Sequence, residues 1–219
     1  MPKILTKEQI AVLKAVGKNK ELASRFYLSG GTPLAEFYLH HRYSEDLDFF
    51  SEQEVDAAGI YTFFMKEKDH MEIKKIDAQS SFNRNLFFLH GAFGVLKTEF
   101  TYYPFPRIEA GMKKYGVSID SALDIATNKL FTIYQRTKAR DYIDLYCLCK
   151  KYGFSIKDLL SKARLKFDWH VDPLQLGAQF LRVKDAEDVP RMIKKFPQMD
   201  VEDFFLAEAS RLKGGVLGP

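Results

Sequence analysis

Asp46 and Asp48 stand two residues apart in the stretch Asp46-Leu-Asp-Phe-Phe50, where acidic and apolar residues alternate with the period of a strand. On a strand both carboxylates leave the same face, about 6.6 Å apart along the chain at a rise of about 3.3 Å per residue. That geometry can bracket a pair of Mg²⁺ ions about 4 Å apart, the arrangement that suits phosphoryl or nucleotidyl transfer. A bare Asp-x-Asp is also an ordinary polar strand edge, so the neighbouring sequence has to carry the distinction.

The stretch Arg25-Phe-Tyr-Leu-Ser29 reads as a short strand ending at Gly30-Gly31, and Gly31 stands fifteen residues before Asp46. Thr32 can then cap, and Pro33 can open, a helix through about His40. Two glycines let a phosphate chain approach the backbone, and the helix N-terminus offers free N–H groups and a favourable dipole. Strand, glycine turn and helix followed by an acidic strand is the layout that a nucleoside triphosphate and its metals require.

Other candidates lie further along. Glu99 shares a strand face with Val95, Lys97 and Thr101, where it would either complete a metal shell from an adjacent strand or stand as an exposed sheet-face glutamate. Lys129 falls on the stripe of Ala122, Ile125, Ala126 and Ile133 and should point inward, which demands an anion: a structural carboxylate or a ligand phosphate. Asp141 and Asp144 share a stripe with Leu145 and Leu148, so Asp144 should face the interior. It would form a salt bridge to Lys129 or Arg140, or serve as a catalytic base or a substrate-positioning group. Arg42, just ahead of the acidic strand, could reach a phosphate. His40 and His41 splay about 100° apart on a helix, too far for one shared ion, and read as surface or loop residues.

The elements that position these residues begin with a capping box, Thr6 to Gln9, opening a helix to about Lys18. A helical pattern runs from Glu52 to Lys68. Strands follow at Met71 to Ala78, Asn85 to His90 and Val95 to Tyr103, the last two joined by the hairpin signal Gly91-Ala-Phe-Gly94. After a short extended stretch from Gly116 to Ile119 the pattern is helical: Ser121 to Arg136, Arg140 to Tyr152 closed by Gly153, a helix opened by Ser155, and two more starting at Asp172-Pro173 and Asp200. The Gly214 to Pro219 end is expected to be disordered. The expected fold is α+β: a minimal nucleotidyltransferase core, a mixed β-sheet with flanking helices over residues 1–118, then a helical C-terminal lobe over 119–219 that completes the active-site cleft.

The 219 residues are 46% hydrophobic and 28% charged, a globular composition. No apolar run is long enough to span a bilayer, and the first residues lack a signal-peptide core, which points to a cytoplasmic protein without a membrane partner. Cys147 and Cys149 lie two apart in a helical pattern and cannot pair with each other, which fits a reducing compartment. The formal charge of +4 is spread over scattered basic pairs and reads as a solvated surface, not a nucleic-acid tract.

These segments resemble the AbiEii/AbiGii toxin family of nucleotidyltransferases, within the DNA polymerase beta-like superfamily. The matching text is Tyr27-Leu-Ser-Gly-Gly-Thr-Pro-Leu-Ala35, Arg42-Tyr-Ser-Glu-Asp-Leu-Asp-Phe-Phe50, Leu96-Lys-Thr-Glu-Phe100, Ala126-Thr-Asn-Lys-Leu130 and Lys138-Ala-Arg-Asp-Tyr-Ile-Asp-Leu145. The resemblance implies that Asp46 and Asp48 are metal carboxylates, Glu99 the third acidic position, Lys129 a nucleotide-contacting lysine, and Asp141 and Asp144 the final acidic motif. Pro33 replaces a usual small residue, and Asn128 stands where an acidic residue commonly precedes the lysine. Implied too are Mg²⁺ and transfer of a nucleotide from a nucleoside triphosphate to an RNA, tRNA or protein acceptor, often by the toxin of a toxin and antitoxin pair. A catalytically silent nucleotide binder of the same fold and a metal-dependent phosphatase using Asp46 as nucleophile are the alternatives. The phosphatase would want its acidic pair directly after a first strand, and here a glycine turn comes first.

Overall fold

Seven strands form one mixed sheet: β1 (Tyr27–Ser29), β2 (Leu47–Ser51), β3 (Ile73–Ser81), β4 (Arg84–Gly91), β5 (Gly94–Tyr102), β6 (Lys113–Lys114) and β7 (Val117–Ile119). Their order is β3-β4-β5-β2-β1-β7-β6, with β2 parallel to β5 and β1 parallel to β7, the remaining neighbours running antiparallel. The structure, a computed structural model, describes residues 3–196 and 198–216. It divides into two compact units, one made of residues up to Tyr38, Ser44–Pro106 and Ala110–Ser121, the other of Leu39–Tyr43, Arg107–Glu109 and the chain from Ala122 onward.

The first unit holds the whole sheet with helices α1 (Lys7–Lys18), α2 (Lys20–Arg25), α3 (Gly31–Pro33, continued by the π-helical Leu34–Leu39) and α4 (Ala57–Glu67). Thr6 and Gln9 form the reciprocal capping box that opens α1. Asn19 both closes α1 and caps α2 through its side chain, so the chain reaches only three residues of strand before the glycines. In β2 the alternation is clean: Leu47, Phe49 and Ser51 are buried, while Asp48 and Phe50 are half-buried on the opposite face. The buried face carries an aromatic core in which Phe49 stacks on Phe100 at 4.7 Å and Phe26, Phe64 and Phe87 pack edge-on or tilted around Phe100. Each such ring stabilises the fold by roughly 1.5–3 kcal/mol through burial alone, so the polar face is held flat by the apolar one beneath it.

The second unit contains α5 (Ala122–Gln135), α6 (Ala139–Tyr152), α7 (Ile156–Phe167), α8 (Pro173–Leu181), a 3₁₀ turn (Arg182–Asp185) and α9 (Gln198–Val216). Ser155 and Asp172 cap α7 and α8 through their side chains, and Gly153 ends α6 at φ +72°. Tyr142, Phe180 and Phe205 pack at 5.0 Å in its core. The segment 39–43 belongs to this unit, where Tyr43 N–H donates to Arg191 O and Ile193 N–H donates to His41 O, each at 2.9 Å.

Several boundaries depart from the sequence expectations. The helix expected from Glu52 begins at Ala57, because Asp56 is the residue whose side chain caps it. Asp200 lies inside α9, not ahead of it, and the helical backbone continues through Val216 into the end expected to be disordered, whose last three residues lie outside the described ones. Among the described residues no helix is long and apolar enough to cross a membrane.

Candidate active site

The glycine turn and the acidic strand meet in the first unit. Gly30 has φ +81°, a conformation that favours glycine, and a Cβ there would lie 2.8 Å from Asp48 Oδ2. Gly30, not Thr32, is the N-cap of the α-turn Gly31–Pro33, which runs into a π-helical Leu34–Leu39; together they form α3. Thr32 instead directs its hydroxyl to Ser44 Oγ at 2.9 Å and to the Asp46 carbonyl, pinning the backbone that carries the first aspartate.

Asp46 immediately precedes β2, and Asp48 lies in register with Ser29 on β1 and Glu99 on β5. Facing residues of neighbouring strands share a face, so Ser29, Asp48 and Glu99 form one row across the sheet. Asp46 Oδ2 accepts from Lys97 Nζ at 2.8 Å. Glu99 is buried and accepts two bonds from Arg84, both at 2.6 Å, and a third from Thr101 Oγ1 at 2.7 Å. It is therefore not an exposed sheet-face residue. Burial pushes its carboxyl up, but the bonds from Arg84 and Thr101 outweigh this and hold it below the ordinary carboxylate range.

Among the described residues no group of three or more His, Cys, Asp or Glu side chains is disposed to hold a metal ion. Mg²⁺ seldom needs such a cage: one or two carboxylates, with water and substrate phosphates, complete its octahedron. Asp46 and Asp48, two hard oxygen donors on one face beside a close-approaching glycine backbone, fit that requirement. Both oxygens of Glu99 are already engaged by Arg84.

Lys129, Asp141, Asp144 and Arg42 belong to the second unit and come together there. Lys129 Nζ lies 2.7 Å from both Asp141 Oδ1 and Asp144 Oδ2. Arg42 donates from Nε and Nη2 to the two oxygens of Asp144 at 2.7 and 2.8 Å, and from Nη1 to the Tyr43 carbonyl. Arg136 donates to Asp141 Oδ2 at 3.0 and 3.1 Å. Both aspartates are fully buried. Burial pushes Asp144 up, yet Lys129 and Arg42 hold it well below the ordinary range. Burial lowers and Asp144 raises the Arg42 guanidinium, with a net rise.

Arg140 takes no part in this network and is exposed. His41, by contrast, is buried: its Nε2 lies 2.8 Å from Asp144 Oδ1, correcting the surface placement expected from sequence. No local pattern could reveal a partner 103 residues away. Arg84 escaped notice because β4 starts one residue before the expected Asn85, whereas Lys97 was visible on the Glu99 face but without a partner to give it meaning.

A family model for the nucleotidyl transferase AbiEii toxin of type IV toxin–antitoxin systems matches residues 12–211. The chain belongs to the AbiEii nucleotidyltransferase family. An uncharacterized protein of Aquifex aeolicus is 31% identical over 206 residues, covering 92% of this chain and 94% of that protein. Among solved structures, JHP933 from Helicobacter pylori aligns over 96% of this chain and 90% of its own at 21% identity and a TM-score of 0.61. MenT4, a nucleotidyltransferase toxin from Mycobacterium tuberculosis, aligns over 95% of this chain and 86% of its own at 16% identity and a TM-score of 0.53. These structures share the α+β fold, and the AbiEii family makes the chain a nucleotidyltransferase.

Proposed function

We propose that this AbiEii-family chain moves a nucleotide from a nucleoside triphosphate onto an RNA, tRNA or protein acceptor in a Mg²⁺-dependent reaction centred on Asp46 and Asp48. The observation that carries the proposal is the abutment of Gly30 on the Asp48 carboxylate, with Asp46 on the same strand face. A phosphate chain laid on the Gly30-Gly31 backbone would bring its oxygens beside both carboxylates. Bound Mg²⁺ would supply charge neutralisation and Lewis acidity at the phosphoryl oxygens. Asp46 and Asp48 would hold it, with Thr32 fixing the Asp46 backbone and Glu99 adding negative charge from the next strand.

In the helical unit, Lys129 is the proposed nucleotide contact, oriented by Asp141 and Asp144. Arg42, whose three donor nitrogens are engaged, positions Asp144 and is assigned no phosphate. The protein would act in the cytoplasm as the toxin of a pair, with a cognate antitoxin protein as its partner. The test is incubation with each labelled nucleoside triphosphate, Mg²⁺ and total cellular RNA. Label in RNA or in protein supports the proposal and names the acceptor class. Triphosphate binding with no label transferred to either would instead identify a silent nucleotide binder.

A further inference from the structure

Two cations on the polar sheet face have no role in the function proposed above. Lys97 Nζ sits 2.8 Å from Asp46 Oδ2, and Arg84 clasps both oxygens of Glu99 at 2.6 Å. Lys97 and Glu99 are two apart on β5, and Arg84 faces Thr101 of the same strand across the β4–β5 ladder, so all stand on the face that carries Asp48. Three carboxylates on adjacent strands would repel one another, and these two cations relieve that repulsion.

The two pairs differ in how readily they break. Lys97 and its partner Asp46 have side chains 29% and 38% exposed, so water screens that bond and release costs little. Glu99, the partner of Arg84, is buried at 6%, and like Asp141 and Asp144 in the helical unit it would be left a stranded charge if its cation departed. The charge count also matters. Asp46, Asp48 and Glu99 carry three negative charges against two positive ones on Lys97 and Arg84, so these five side chains sum to one net negative charge. A divalent cation drawn to Asp46 must compete with Lys97 for Oδ2, while the triphosphate it accompanies brings oxygens that a released ammonium can bind.

We propose that Lys97 is an exchangeable counter-ion: it holds Asp46 until a metal and a nucleoside triphosphate arrive, then transfers to the phosphates, while Arg84 stays on the buried Glu99. This rests on the metal role proposed for Asp46 and Asp48. Lys97 thus opposes free metal and favours metal with triphosphate, so a site without nucleotide stays poorly loaded. Its removal must move the two affinities in opposite directions.

The experiment measures Mn²⁺ binding to the full-length protein without nucleotide by electron paramagnetic resonance. Calorimetry then measures binding of each of the four nucleoside triphosphates at saturating Mg²⁺. Lys97→Met should bind Mn²⁺ about fivefold more tightly and triphosphate about fivefold more weakly. Lys97→Gln, which keeps a polar end, stands in if the Met variant fails to fold. A purely structural pair would leave both affinities unchanged or weaken both, and either result overturns the proposal. Asp48→Asn separates this from failure of the underlying site: it should lose Mn²⁺ binding. If Asp48→Asn binds Mn²⁺ like the wild type, the metal site and the counter-ion exchange fall together. If it loses Mn²⁺ while Lys97→Met leaves Mn²⁺ affinity unchanged, only the exchange is wrong.

Discussion

Gly30 and Asp48 approach so closely that the smallest side chain on Gly30 would press to 2.8 Å from Asp48 Oδ2. The contact explains why a glycine stands at the end of β1: the position needs both φ +81° and an absent Cβ. The second aspartate of the motif is thereby seated directly against the turn proposed to receive phosphates.

Gly30→Ala should accordingly displace the Asp48 carboxylate and cost about 1–2 kcal/mol in backbone strain. Transfer activity should fall by more than the loss of stability accounts for, because the reacting carboxylate itself moves. Melting temperature and label transfer measured on the same preparation check this, with retention of activity in a destabilised variant as the contrary result.

Lys129→Ala should behave as the loss of a buried ion-pair partner. It leaves Asp141 with Arg136 and Asp144 with Arg42, and should cost about 3–5 kcal/mol. At this chain length that is a fall of roughly 6–20 °C in melting temperature. A drop in triphosphate affinity, measured where the variant is folded, would add the proposed phosphate contact. A melting temperature within a degree of wild type would contradict the buried network.

The network also predicts a pH dependence. The folded Asp144 carboxyl lies well below its ordinary value, so its stabilisation is present above the unfolded pKa of about 3.9 and is lost as pH falls through the lower folded value. In urea titrations the stability gap between wild type and Asp144→Asn should stay constant above about pH 5 and narrow as the pH drops below about 4. A gap that widens in acid would have the wrong sign.

Burial pushes the Cys147 thiol up to about 11 and that of Cys149 up to about 12. Neither thiolate is populated near neutral pH, so iodoacetamide should label native protein at pH 8 roughly a hundredfold more slowly than urea-denatured protein. Rapid native labelling would contradict this packing of α6.

Much of this architecture is written in local signals. Thr6 with Gln9, Ser155, Asp172 and the Gly91–Gly94 hairpin each declare themselves within a few residues, because caps and turns are satisfied locally. The inward turn of Lys129 was legible from its stripe, and its partners Asp141 and Asp144 lie one helix further on. Long-range partnerships were not legible. His41 and Arg42 read as loop and ligand-facing residues until Asp144, distant in sequence, claims both. Thr32 has the type of a cap, but Ser44 and the Asp46 carbonyl compete successfully for its hydroxyl while Gly30 takes the cap position. Glu99 could be placed on its strand face, but Arg84 entered only once β4 was paired with β5 in register.

The central claim is that Asp46 and Asp48 carry nucleotidyl transfer. Its most direct measurement is the initial rate of label transfer from nucleoside triphosphate in Mg²⁺ by wild type, Asp46→Asn, Asp48→Asn and the double variant, each verified as folded by its melting temperature. Losing an interaction worth several kcal/mol at the reacting phosphate should lower the rate about a thousandfold or more in either variant, with little loss of stability. Transfer at the wild-type rate by the folded double variant would place the chemistry elsewhere in the molecule.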